Sequence, residues 1–246
     1  MPDSEPMRAA APSRNVVANP SPAPRPERRV HEGRYVRLEP LDPADHGEEL
    51  VAAGHGDAAR ERIWEYLPYG PFASAAEMTA HLERQAASED PLFFAIRPYG
   101  SGRAEGVASL MSIVPAHRTI EIGHIWLGPD LQRTPAATEA LYLLIAHALD
   151  DLGYRRMEWK CNAANAASRA AAVRLGFTHE GIFHQHLIVK GRNRDTAWFS
   201  ILDGEWPALR ANFERWLDPE NFEDDGRQRV SLGALNRELT ASRVRG

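Results

Sequence analysis

Polar and apolar residues alternate along Gly33-Arg34-Tyr35-Val36-Arg37-Leu38, the period-two pattern of a half-buried strand. Asp42 and Pro43 then supply a side-chain cap and a first-turn proline, so a helix starts there. A second helical stretch runs from Ala58 to about Tyr66 and breaks at Leu67-Pro68-Tyr69-Gly70-Pro71. Ser74, with Glu77 three residues later, has capping-box spacing and opens a third helix that runs to about Ser88. Leu92–Ile96 and Val107–Met111 read as two strands turned at Gly100–Gly102. The rhythm then changes to strand (Ile120–Leu127), helix (from Thr134-Pro135), strand (Met157–Cys161) and helix (closed by Leu175-Gly176-Phe177), an alternation that favours local parallel pairing. Gly181–Val189 and Thr196–Leu202 read as closing strands, and Trp206, Leu209, Phe213 and Trp216 recur at helical spacing. The pattern predicts one mixed α/β domain over residues 30–217, its mixed central sheet of about six to seven strands covered by helices.

The ends read differently. Residues 1–29 are Ala, Pro, Ser and Arg with almost no large apolar side chain, so they are expected to form a disordered tail. Residues 218–246 are charged and weakly periodic, a mobile tail with at most one short helix. Residues 1–29 lack the apolar core of a signal peptide, and nowhere do eighteen apolar residues run together, so no membrane span is expected. Cys161 is the only cysteine, which rules out an internal disulfide and thiolate-rich zinc sites; no metal is expected and the compartment reads as cytoplasmic. A net charge of −5 argues against a nucleic-acid surface.

Candidate chemistry concentrates in the strand–helix–strand–helix stretch. On its first strand Ile120, Ile122, His124 and Trp126 are expected on one face, and Glu121, Gly123, Ile125 and Leu127 on the other. Thr134 stands where an N-cap belongs and Pro135 where proline is tolerated, ahead of a stripe of Leu141, Leu144, Ile145, Ala148, Leu149 and Leu152. The first amides of such a helix are an anion site. Ala136, Ala137 and Thr138 are small enough to let a phosphate approach, and Arg133 adds a cation. Before the second helix, Asn165 is placed to cap or to bond a ligand. His184 and His186 share one face of a later strand, and Trp64, Tyr66 and Tyr69 mark an aromatic, proline-stiffened loop.

Taken together, E-I-G-H-I-W-L, L-Q-R-T-P-A-A-T-E-A, N-A-A-S…L-G-F-T-H-E-G and G-R-N-R-D-T resemble the GNAT superfamily of N-acetyltransferases. Within it the chain looks most like the group related to the ribosomal-protein-alanine acetyltransferases (RimJ/RimL-like), over about Gly33 to Trp206. The resemblance implies a single GNAT-like domain whose parallel strands four and five splay, with acetyl-CoA in the opening. By it, the backbone of Ile125, Trp126 and Leu127 would bond the pantetheine arm. Gln132, Arg133, Thr134, Ala136, Ala137 and Thr138 would hold the pyrophosphate, with Asn165 and Ser168 near the thioester. Glu121 becomes the first candidate base, because this strand carries the base in many members, and His186 the second.

The resemblance also places the loop of Trp64, Tyr66 and Tyr69 at the acceptor. The chain departs from the pattern twice. Pro135 replaces the first glycine of the phosphate loop, and Ala172 replaces the tyrosine acid seven residues beyond Asn165, which leaves Ser168 to reprotonate the thiolate. The implied activity is acetyl transfer to a primary amine, either a peptide N-terminus or a small molecule; the alternative is a non-catalytic acyl-CoA-binding sensor. Trp206 and Trp216 are candidates for a homodimer surface.

Overall fold

The structure is a computed structural model that describes residues 16–243. Eight strands form one sheet in the order β1-β2-β3-β4-β5-β6-β8-β7. They are β1 (His31–Glu32), β2 (Val36–Pro40), β3 (Leu92–Pro98), β4 (Gly106–Val114), β5 (Thr119–Leu127), β6 (Arg156–Asn162), β7 (Thr178–Val189) and β8 (Arg192–Leu202). The count exceeds the expected six to seven because a two-residue strand, too short to show a period, pairs with β2. All neighbours are antiparallel except β5 and β6.

Helices start where the caps predict. Asp42 accepts from the Ala44 amide at the head of α1 (Pro43–Gly54). A short helix, α2 (Ala58–Glu61), follows and passes into one 3-10 turn. Ser74 accepts from the Glu77 amide while Glu77 accepts from that of Ala73, opening α3 (Ala75–Ala86). The remaining helices are α4 (Pro135–Ala146), extended by a π turn to Asp151, α5 (Ala166–Arg174), α6 (Trp206–Trp216) and α7 (Leu232–Arg243).

Two cores flank the sheet. The larger joins Leu92, Phe94, Leu110, Ile120 and Ile122 to α4, α5, α6 and α7. The smaller sits on the opposite face, where α1, α3 and Trp64 cover Phe93, Ala95, Val107 and Trp126. Glu139 of α4 accepts from the backbone amides of Arg34 and Tyr35 at 2.8 and 2.6 Å, a buried carboxylate that ties β2 to the helix.

Both expected tails need correction within the described residues. Ala23 is 5% exposed and its amide donates to Pro115 at 3.1 Å; Arg29 bonds Asp151 and lies 2.8 Å from His147. Small residues in an extended segment can fill a groove without any periodic signal. Residues 1–15 and 244–246 lie outside the described part. At the other end α7 has twelve residues, buries Leu232 and Leu235, and is fixed when Asn236 donates to the Arg174 carbonyl at 2.9 Å. Trp206 and Trp216 are buried in the main core, so the expectation that they serve a dimer surface is overturned.

Candidate active site

The parallel ladder between β5 and β6 covers only Thr119–Arg156, Ile120–Met157 and Glu121–Glu158, although the strands hold nine and seven residues. Beyond Glu121 the two strands part. From Gly123 to Leu127, β5 keeps β4 on one edge and leaves the other open.

The face assignment of β5 is overturned by a bulge. Val107 pairs with Trp126 but Ser109 pairs with Gly123, so three steps on β5 oppose two on β4, and His124 takes φ +50. Ile125 and Leu127 therefore pack with Ile120 and Ile122, whereas Trp126 joins the smaller core on the face of Glu121. A Cβ at Gly123 would collide with the Met111 sulfur, so a side chain there would require Met111 to move.

At the mouth of this opening, Gly128–Thr134 leads into α4. Thr134 Oγ1 accepts from the Ala137 amide at 3.1 Å, and Gln132 Nε2 donates to the Leu127 carbonyl at 3.0 Å. Pro135 has no N–H, but the amides of Arg133, Thr134 and Ala136 meet no acceptor among the described residues. Arg133 is exposed and takes φ +64. Ala136 and Ala137 are buried, so they admit an anion by being short and would not accept a larger side chain without disturbing the core. Thr138 is also buried and receives Arg174 Nη1 at 3.1 Å.

Glu121 is buried, and its Oε2 accepts from Lys160 Nζ at 2.8 Å and from Ser112 at 2.9 Å. Lys160 also reaches Glu158 at 2.8 Å and lies over the Trp198 ring. Burial alone would lower its pKa, but Glu121 and Glu158 hold it above the ordinary lysine value. Arg156 extends the chain of charges to Glu180. This polar stripe continues, on β5, β6, β8 and β7, the sheet face that carries the smaller core.

His124 was expected on the face of Ile120 and Ile122. Its ring stacks on Tyr69 at 8° and Nδ1 lies 3.1 Å from the Tyr69 hydroxyl. Burial, helped by the charge of Arg194, lowers its pKa, so the imidazole is neutral at pH 7. The bulge turns this ring toward the Glu121 face, which no residue pattern announces.

Ser168 Oγ accepts from Trp159 Nε1 at 3.1 Å, which leaves its own proton to donate; Asn165 caps α5 through the Ser168 amide. His186 Nδ1 is 3.0 Å from Thr196 Oγ1, and its ring lies 6.0 Å from Trp198, the ring against Lys160; His184 bonds Asp195, and both histidines sit on the exposed edge strand β7. Of the aromatic loop, Trp64 is 1% exposed and donates to the Gly54 carbonyl, so its expected contact with an acceptor is corrected: it supports the wall. Tyr69 faces His124 and Gln85, and Tyr66 reaches the Ala164 carbonyl at 3.5 Å. Lys190, in the β7–β8 turn, donates to the Trp64 carbonyl at 2.7 Å, which closes the turn onto the loop.

Residues 36–178 match the acetyltransferase (GNAT) domain family. A GCN5-related N-acetyltransferase from Brucella melitensis is 50% identical and superposes with a TM-score of 0.87, covering 90% of this chain and 100% of that one. The chain is also 32% identical over 101 residues to a putative ribosomal N-acetyltransferase, YdaF, of Bacillus subtilis (strain 168), covering 41% of this chain and 55% of that one. It is 38% identical over 80 residues to the ribosomal-protein-serine acetyltransferase of Escherichia coli (strain K12), covering 32% of this chain and 44% of that one. The chain thus spans about half the length of the curated relatives it matches. It belongs to the GNAT acetyltransferases, an acyltransferase family.

Proposed function

We propose that this chain moves an acetyl group from acetyl-CoA to a primary amine, a peptide N-terminus or a small molecule, by direct attack within a ternary complex. The observation that carries the reading is the parting of β5 from β6 directly ahead of the free amides at α4. An open strand edge suits an amide-bearing arm, and a capped helix start with three spare N–H groups suits a pyrophosphate. The acetyltransferase MccE, whose structure holds acetyl-CoA and AMP, shares this fold at 24% identity and a TM-score of 0.60. The thioester supplies an activated acyl carbon; the chain's own task is alignment and proton movement. In this reading Glu121 takes the proton of the attacking amine, and Ser168, whose oxygen already accepts from Trp159, donates to the departing sulfur.

Mixing the purified chain and acetyl-CoA with a panel of amines should release free thiol with at least one of them. Acetyl-CoA binding without thiol release for any amine would favour the non-catalytic alternative, an acyl-CoA-binding sensor.

The turn before α4 offers a sharper test. Arg133→Gly should weaken acetyl-CoA binding by about three- to tenfold, because a cation beside the phosphates is lost. The same change should raise stability by up to about 1 kcal/mol, since glycine adopts φ +64 without a steric cost. Calorimetry and thermal melts read the two effects separately. Unchanged affinity would place Arg133 away from the phosphates.

A further inference from the structure

Arg194, on β8, carries a charge that the fold leaves unmet. β8 is regular through this region, so Arg194 shares a face with Thr196, Trp198 and Ser200, which pair across to Asn162, Lys160 and Glu158. That is the polar face of Glu121 and His124. Arg194 Nε is buried with no acceptor, and no carboxylate lies within ion-pair distance of the guanidinium among the described residues. The neighbouring carboxylates are already engaged. Glu121 is held by Lys160 and Ser112; Asp195 by His184, Asn193 and the Gln185 amide; Glu158 and Glu180 by Arg156. Burial pushes the Arg194 pKa below the ordinary arginine value, opposed by Cys161 and Glu121, and its charge also acts on His124. The group thus stands among the reaction's candidate proton carriers, under the turn that Lys190 clamps to the aromatic loop.

A half-buried guanidinium without a counter-ion is costly, and an anionic oxygen pair from outside removes that cost. Its planar fork can take both oxygens of a carboxylate in two parallel N–H···O bonds. We propose that Arg194 recognises a carboxylate on the acceptor, so that the acceptor is an amine of amino-acid type and not a plain or polycationic amine. The inference rests on the acetyl-transfer reading for the identity of the acceptor pocket, but its test separates the two.

The full chain, saturated with CoA, is titrated with L-amino acids and with their carboxamides, and the same pairs are then assayed for thiol release from acetyl-CoA. At least one amino acid should bind about tenfold or more tightly than its carboxamide. Arg194→Gln should bring that ratio to about one while leaving acetyl-CoA affinity unchanged, and Arg194→Lys, which keeps the charge and guards against a folding failure, should retain part of the preference. No preference anywhere in the panel, or a preference that survives in a folded Arg194→Gln, overturns the assignment. Carboxylate preference without thiol release leaves it standing and removes the transfer reading instead.

Discussion

Glu121→Gln lowers kcat for amine acetylation by about 10²-fold or more and leaves acetyl-CoA affinity within about twofold. The amide keeps the shape of the side chain and its bond from Ser112 but cannot take a proton. Acetyl-CoA is expected to contact β5 through backbone beyond Gly123, which this change does not touch. Some stability is lost as well, about 1–2 kcal/mol, because Lys160 keeps only Glu158 as its buried partner. Two controls locate the base. His124 is neutral at pH 7, lies on the same face and is fixed by Tyr69, while His186 is bound to Thr196 on the edge strand. If His124→Gln abolishes turnover while Glu121→Gln stays active, the imidazole is the base and Glu121 only anchors Lys160. If His186→Gln does so, the base lies on the edge strand β7.

What the residues announced and what they withheld divide along physical lines. Local chemistry was legible: Asp42, Ser74, Thr134 and Asn165 each cap the helix they were expected to open. The parallel pairing of β5 with β6 followed from their alternation with helices. The bulge was not legible. Gly123 stands beside it, but the extra residue is a histidine at positive φ, and one such residue moves every later side chain on β5 to the opposite face. The docking of Ala23 and of α7 depends on partners far away in sequence, such as Pro115 and Arg174, so weak periodicity at the ends concealed real packing. In the G-R-N-R-D-T turn, only strand register puts Arg194 on the Glu121 face, while Asp195 takes hydrogen bonds from His184 and the Gln185 amide.

Trp64→Ala should be the most damaging single change to the acceptor side, for reasons of packing. The indole is fully enclosed by Tyr69, Phe72 and Trp126, with ring centroids 6.0, 5.1 and 5.1 Å away. The backbone is shaped to admit it: a methyl group at Gly54 or Gly70 would come within 2.9 or 2.8 Å of its atoms. Truncation leaves a large cavity and an unpaired Gly54 carbonyl, at a cost of about 3–5 kcal/mol, or roughly 10 °C in Tm. Function should shift in a distinctive way. Tyr69 leans on this indole and stacks on His124, so acceptor KM should rise while acetyl-CoA affinity, set on the other side of β5, holds. Trp64→Phe keeps most of the volume and loses only the hydrogen bond, so about 1–2 kcal/mol should go and the KM change should be small. Equal losses of acetyl-CoA affinity and acceptor KM in Trp64→Ala would mean that the aromatic loop supports the whole cleft and not its acceptor wall alone.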